Sequence, residues 1–463
     1  MITASKFSFN YAFSKEAAVA ISALDIVAGE CMVLCGKSGS GKTTFTRLVN
    51  GLIPEVYEGE WRGSFQTDSL KIGKNNIEDY ARITGSVFQN PNTQFFHLNS
   101  TKEMAFSCEN AGMNAEKILE EIAVVSTELE LQELLNRNLF ELSGGERQKI
   151  AFGAATIHEP KIVVLDEPTS SLDEEAIVVI AKMIRQLKAK GITVIVAEHR
   201  LEYLNGIADR YCFFEERKLS TIYSKEIFLA LDNEQLHHKG LRSTDLAPYK
   251  KEVQKKIQSF EFKTDSLLAG EKLAIGYKKQ KVLREIPSFS IEKPMIIGIM
   301  GANGAGKTTF IKSLAGLIKF KHGQVYWKGT AQTPRQMLKR CFLVMQDVHY
   351  QLFSENVKSE ILLGAKIPEK YDEVIDLLGL RELEDRHPVS LSRGEQQRVM
   401  IAAAICSGKD ILIFDEPTSG LDYANMKNVT KLMEQLKAMG KIIFVITHDQ
   451  ELAAESCDKI MSF

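Results

Sequence analysis

Two α/β domains in tandem are the fold predicted by this sequence of 463 residues, each with a mainly parallel core sheet, an antiparallel β portion and a helical portion. Three observations predict it. A glycine-rich loop, GKSGSGKTT at residues 36–44, lies between a short apolar run and a helical one. The loop returns as GANGAGKTT at residues 301–309, again after an apolar run. Apolar strands then alternate with helical spacing to the end of each half, the pattern of a parallel sheet.

The repeat sets the domain plan. In order, the first half holds the loop, Gln89, LSGGERQ at 142–148, IVVLDEPTSSLD at 162–173 and His199. The second holds the loop, Gln346, LSRGEQQ at 391–397, ILIFDEPTSGLD at 411–422 and His448. The offset is 265 residues at the loop, 257 at the glutamine and 249 at both the acidic strand and the histidine. One domain is thus duplicated, with two eight-residue insertions in the first copy. The predicted boundaries are 1–223, a linker at 224–268, and 269–463.

Each copy opens on an alternating stretch ending in tyrosine, FSFNY at 7–11 and LAIGY at 273–277, read as an antiparallel strand. Tyr11 and Tyr277 either stack on a base or cap the strand. AAVAISAL at 17–24 is a strand and turn rather than a signal core, because charges flank it. The glycine-rich loops carry the first chemistry. G-x-x-x-x-G-K-[ST] holds a polyphosphate on backbone N–H groups, glycines allow close approach, and a helix opening at the lysine aims further N–H groups at the anion. Phosphate contacts are therefore expected from Gly36, Ser38, Gly39, Ser40, Gly41, Lys42, Thr43 and Thr44. Gly301, Asn303, Gly304, Ala305, Gly306, Lys307, Thr308 and Thr309 are their counterparts. The Thr43 and Thr308 hydroxyls are expected to ligate Mg²⁺.

Residues 115–135 and 369–380 have helical apolar spacing and form the expected helical insertion. Apolar strands end in Asp166-Glu167 and Asp415-Glu416, each followed by Pro-Thr-Ser. Such an aspartate can hold Mg²⁺, and the glutamate after it can polarise an attacking water as a general base. Residues 224–268 read as a short helix and then a polar linker; the lysine run YKKEVQKK there is read as a solvated face rather than a grip on nucleic acid or lipid headgroups.

Composition narrows the function classes. A formal net charge of −2 gives no whole-chain reason to expect nucleic acid. The seven cysteines form no C-x-x-C pair, so no zinc or iron–sulfur pattern exists and a reducing cytosol is the default. Cys31 and Cys35 lie four apart on one strand and are expected to share a buried face. No apolar run reaches 18 residues, so nothing in the sequence reads as spanning a membrane.

Together these motifs resemble the ATP-binding cassette family, over nearly the whole chain and twice. The resemblance implies an ATP hydrolase with ATP and Mg²⁺, in which the two cassettes form an intramolecular pseudo-dimer and sandwich two nucleotides head to tail. Ser143, Gly144 and Gly145, with Ser392 and Gly394, would then contact nucleotide bound at the other cassette's loop. Gln89 and Gln346 would touch Mg²⁺ and the water, His199 and His448 the γ-phosphate side, and Asp173 and Asp422 would lie at the seam. The second signature departs from the pattern: Arg393 stands where the first has Gly144. Either it obstructs close approach or it pairs with a phosphate; in both cases the two sites are expected to be unequal.

The load of such a motor is suggested by QNPNTQFF at 89–96 and QDVHYQLF at 346–353. Each has a second glutamine five residues on and then two large apolar residues, either a docking patch or a strand end returning to the core. Glu103 and Glu360 keep the same register. With Glu198-His199-Arg200-Leu201, this wording resembles the energy-coupling factor subfamily, in its hydroxymethylpyrimidine/thiamine-type tandem form. That implies a peripheral motor on the cytoplasmic face of the membrane. Its partners would be an integral scaffold protein and a separate membrane protein that captures a vitamin or metal ion. The rival expectation is a soluble tandem cassette acting on ribosomes or nucleic acid.

Overall fold

A computed structural model describes the chain except Lys15, Ser171, residues 278–280 and Ser392, with backbone alone at Asn92 and Arg393. Contacts divide it into two units, Met1–Asp245 with Asp422–Ala424, and Leu246–Leu421 with Asn425–Phe463.

In the first unit the parallel strands lie in the spatial order Thr84–Val87, Ile162–Asp166, Thr193–Ala197, Cys31–Gly36 and Arg210–Glu215. The second unit repeats that order with Cys341–Val344, Ile411–Asp415, Ile442–Ile446, Ile296–Met300 and Lys459–Ser462. The central strands are buried on both sides, which is why they read as continuous apolar runs. Successive residues point to opposite faces. Cys31, Val33 and Cys35 join one core cluster, Met32 and Leu34 the other, so the two cysteines do share a face. Burial pushes both thiols up to about 12, which leaves them inert packing groups.

The alternating opening stretches are antiparallel strands, Ile2–Tyr11 paired with Val19–Ile26 and Gly59–Thr67, and Leu268–Ile275 paired with His322–Trp327. Phe7 and Phe9 face inward as the alternation requires. Tyr277 lies just beyond its strand.

Three stretches differ from expectation. The helix expected over 115–135 is Ala115–Glu128; Glu130 takes a φ of 56°, and a 3-10 turn at Gln132–Leu134 follows. A left-handed residue cannot continue a right-handed helix. In the second copy the helix is Tyr371–Leu377, and Gly379 with φ 61° does the same. The stretch read as a short helix and polar linker holds three helices, Lys225–Leu229, Asn233–His238 and Ala247–Lys256. The last packs on Gln450–Ser456 through buried Val253, with the Lys256 ammonium donating to the Ala454 carbonyl. Apolar spacing hid this, because only one face of each short helix is covered.

Candidate nucleotide site

Each glycine-rich loop joins the end of a core strand to a helix, Cys31–Gly36 to Lys42–Val49 and Ile296–Met300 to Lys307–Leu314. Glycine at its first position has a cause inside the fold. A Cβ on Gly36 would lie 2.2 Å from the Phe214 carbonyl oxygen, and one on Gly301 2.2 Å from that of Phe463. The neighbouring strand, as well as a ligand, therefore excludes a side chain there. At Gly39 and Gly304 the space is open and the positive φ, 75° and 79°, selects glycine instead.

Lys42 is buried and folds back, donating to the carbonyls of Gly36 at 2.8 Å and Lys37 at 3.0 Å. Lys307 does the same to Gly301 at 2.6 Å and Ala302 at 2.9 Å. Burial pulls the Lys42 ammonium below its usual range, opposed chiefly by Glu167. Thr43 and Thr308 face outward at the first helical turn, and Ser38, Gly39, Asn303 and Gly304 are exposed with them. Ser40 and Thr44 are buried, as are Gly306 and Thr309; Ala305 is half-buried.

The acidic strands end beside the loops. Burial raises the Asp166 carboxyl and pushes Asp415 up to about 6. The Thr308 hydroxyl lies 3.5 Å from Asp415 Oδ2, and the Thr46 hydroxyl 3.4 Å from Asp166 Oδ2. The outward-facing Thr43 hydroxyl also hydrogen-bonds Asp166, so each site sets a buried carboxylate beside an outward-facing hydroxyl, an all-oxygen donor set of the kind a hard divalent cation takes, and the residues fit Mg²⁺. The next residues, Glu167 and Glu416, adopt φ of 46° and 50°. Their N–H groups donate to Ala197 at 2.8 Å and Ile446 at 2.9 Å on the adjacent strand. This left-handed turn, costing about 1–3 kcal/mol, lifts each side chain off the sheet edge. No sequence signal announces it.

Glu167 meets two of the predicted partners. Gln89 Nε2 donates to its Oε2 at 2.6 Å, and His199 Nε2 lies 3.5 Å from its Oε1. Burial, then Lys42, hold the His199 imidazole well below its ordinary value, so it faces Glu167 neutral. In the second unit His448 Nε2 lies 3.5 Å from Glu416 Oε1 and 3.2 Å from Asn303 Oδ1. Gln346 is half-buried and, among the described residues, makes no side-chain hydrogen bond. Tyr11 places its hydroxyl 3.1 Å from Thr44 Oγ1 and accepts from Arg47 at 2.9 Å, while its ring meets Phe9 edge-on. The Tyr277 hydroxyl sits 3.5 Å from Thr309 Oγ1.

Ser143 caps the helix Gly144–Thr156 by a capping box with Glu146. A Cβ on Gly144 would meet nothing within 4 Å, and one on Gly394 likewise, whereas one on Gly145 would come 3.2 Å from Ala176. Ser392 and the Arg393 side chain lie outside the described residues.

Sequence reasoning missed the pinning of the loop after each glutamine. Gln94 accepts from the Phe88 N–H at 3.0 Å and donates to the Ser86 carbonyl at 3.0 Å. Gln351 accepts from Met345 at 2.7 Å and donates to Leu343 at 2.8 Å. Buried Glu103 accepts from the N–H groups of Phe96 and His97 at 2.9 and 2.8 Å; Glu360 accepts from Phe353 and Ser354 at 2.8 and 2.7 Å. The two apolar residues are thereby split. Phe95 and Leu352 turn inward, while Phe96 and Phe353 are 76% and 78% exposed.

The family model for the ABC transporter matches residues 20–170 and 285–419. The chain belongs to this family. It is an ABC ATPase with two cassettes in one chain. It is 40% identical to a putative ABC transporter ATP-binding protein of Treponema denticola, over 100% of this chain and 95% of the relative. It is 27% identical to the putative HMP/thiamine import ATP-binding protein YkoD of Bacillus subtilis, over 100% and 89%. Among solved structures it resembles a model of ribosome-bound archaeal Pelota and ABCE1, at 26% identity and TM-score 0.69, covering 96% of this chain and 74% of that one. No described helix is long and apolar enough to cross a membrane.

Proposed function

We propose that this ABC ATPase is the peripheral motor of an energy-coupling factor type importer. Residues 1–223 and 269–463 would be its two motor domains. By closing and opening on ATP it drives uptake of a vitamin-like small molecule or a metal ion through separate membrane subunits, at the cytoplasmic face. One observation carries the reading. In both cassettes the loop that starts at Gln89 or Gln346 is pinned at two points and presents an exposed phenylalanine. Burying one such ring against a partner is worth about 1.5–3 kcal/mol. A patch of this kind suits the apolar surface of an integral scaffold protein. The likeness to a putative thiamine-type import protein supports the same load.

In this reading the glycine-rich loops, with Lys42 and Lys307, cradle the phosphates, and Tyr11 and Tyr277 border the base. The signature residues Ser143–Gly145, Ser392 and Gly394 complete the nucleotide contacts. Thr43, Gln89 and Asp166, and Thr308, Gln346 and Asp415, hold Mg²⁺, which neutralises phosphate charge when bound. Glu167 and Glu416 accept the proton of the attacking water. Neutral His199, and His448 in the second cassette, orient those carboxylates and face the γ-phosphate.

The likeness to a ribosome-bound two-cassette protein favours a second reading, a soluble ATPase acting on ribosomes or nucleic acid. A pull-down of the tagged full-length chain from solubilised membranes and from cytosol separates the two. Recovery of a multi-span membrane protein is expected, and lost with Phe96→Asp and Phe353→Asp. Recovery of ribosomes instead would overturn the importer reading.

A further inference from the structure

The turn after each histidine is held by a buried carboxylate, but the carboxylate sits on opposite sides of the histidine in the two cassettes. In the first it is Glu198, immediately before His199. Its Oε1 accepts from the N–H groups of His199 at 2.9 Å and Arg200 at 3.3 Å. Its Oε2 accepts from the Thr169 hydroxyl at 2.8 Å and N–H at 3.4 Å, and from Tyr203 at 3.2 Å. In the second, the aligned position is Thr447 and the carboxylate is Asp449, immediately after His448. Its Oδ1 accepts from the N–H groups of Glu451 and Leu452, both at 3.1 Å, and its Oδ2 from the Thr418 hydroxyl at 2.8 Å. Thr447 takes the Asp449 N–H at 3.0 Å.

The division of labour is the same. One oxygen gathers backbone N–H groups, those of His199 and Arg200 in the first copy and those of Glu451 and Leu452 in the helix after His448 in the second, where the His448 N–H itself donates to Glu416 Oε2 at 3.4 Å. The other holds the threonine two residues after the acidic glutamate, Thr169 or Thr418. All are nearly enclosed: Thr169 is 0% exposed, Glu198 2%, Thr418 3% and Asp449 7%. The side-chain lengths agree with the two placements. Glu198 is the longer side chain and reaches from the strand end. Asp449 reaches from within the turn, where the same two N–H bonds cap the helix Gln450–Ser456. Each carboxylate thus ties the segment carrying Glu167 or Glu416 to the segment carrying His199 or His448. Both histidines stand 3.5 Å from their glutamates although the bridging residue has moved.

We infer that Glu198 and Asp449 are positioning residues for ATP hydrolysis, interchangeable latches that set the histidine–glutamate distance from either side of the histidine. This rests on the roles proposed above for His199 and His448. An isolated structural hydrogen bond could be lost without effect on turnover. A latch that sets an angstrom-scale distance could not, since misplacement of that size costs up to about a hundredfold.

The test moves the latch. In the full-length chain, Glu198→Thr and Asp449→Arg are compared with the relocation doubles Glu198→Thr/Arg200→Asp and Thr447→Glu/Asp449→Arg. His199→Ala and His448→Ala serve as references for steady-state ATPase. In each copy whose histidine variant is impaired, the single should lower kcat about ten- to hundred-fold with KM for ATP nearly unchanged. The double should recover most of the loss. Thr169→Val and Thr418→Val, which delete one hydroxyl at constant size, should lower kcat severalfold and decide the matter if a charged variant does not fold. The latch is overturned if the singles and valine variants keep kcat within about twofold of wild type beside an impaired histidine variant. It is also overturned if folded doubles, judged by thermal unfolding, stay as slow as the singles. If neither histidine variant changes turnover, the proposed histidine roles fail first and the latch falls with them.

Discussion

The two cassettes differ more in their frames than at their loops. Among the described residues, the first joins parallel and antiparallel strands into one ten-stranded sheet through a single pair, Lys218 with Ala20. The second keeps two five-stranded sheets. Yet each loop lysine bonds the same two carbonyl positions, and each histidine stands 3.5 Å from its glutamate. Interactions have been retained where residues and connections have not. The difference that survives at the site is polar and local. Gln89 bonds Glu167 at 2.6 Å, whereas among the described residues Gln346 makes no side-chain hydrogen bond to Glu416. A divergent frame around a constant apex is what a site built on strand ends allows, because the strand order alone sets where those ends lie.

The comparison breaks most visibly at the paired glutamates. Removing a general base costs roughly 10²–10⁴ in rate at its own site. Glu416→Gln is expected to lower steady-state ATPase further than Glu167→Gln, because the head-to-tail pairing that the family resemblance implies would set the loop of the second cassette against the intact signature at Ser143–Gly145. Equal losses in the two purified variants would show that the sites are equivalent despite Arg393. Next in size are Phe96→Asp and Phe353→Asp. Each should weaken capture of a membrane scaffold roughly ten- to hundred-fold by loss of one buried ring. If only one variant does so, the partner reads one cassette.

Smaller effects test whether the loop is pinned alike in both copies. Glu103→Ala or Glu360→Ala leaves two part-buried N–H groups without their charged acceptor, a cost of about 1 kcal/mol. Hydrogen exchange should accelerate at Phe96 and His97 in one variant and at Phe353 and Ser354 in the other. Unchanged exchange would mean that the loops are held elsewhere. The smallest expected effect is pH-dependent. Hydrogen bonds from Ser143 hold the Glu146 carboxyl below its usual value. A depressed carboxyl binds its proton less tightly when folded. Its contribution is therefore complete above the ordinary glutamate pKa and is lost as pH falls through the lowered one. Ser143→Ala or Glu146→Gln should cost about 1 kcal/mol at neutral pH and flatten that acid-side decline in thermal stability.

Much of the site was legible because its chemistry requires particular residue types at fixed spacing. Glycine, lysine and threonine around residues 36–44, and aspartate then glutamate after an apolar run, admit few substitutes, and a second copy with the same flanks removes chance as an explanation. The fold class followed from the same periodicities. Within 224–268 one short helix was legible but not all three, since short amphipathic pieces resemble a polar linker until a neighbouring surface covers them.

By itself the sequence determined the duplication, the strand–loop–helix order and the candidate phosphate, magnesium and water-handling residues. All of these depend on residue type and local spacing. Only the tertiary structure decided that the Phe214 and Phe463 carbonyls exclude a side chain at Gly36 and Gly301, and that Phe95 turns in while Phe96 turns out. It alone set Glu198 and Asp449 in the same task from opposite sides of a histidine. Those outcomes depend on distances between residues far apart in the chain, and such distances exist only once the sheet has brought its strand ends together.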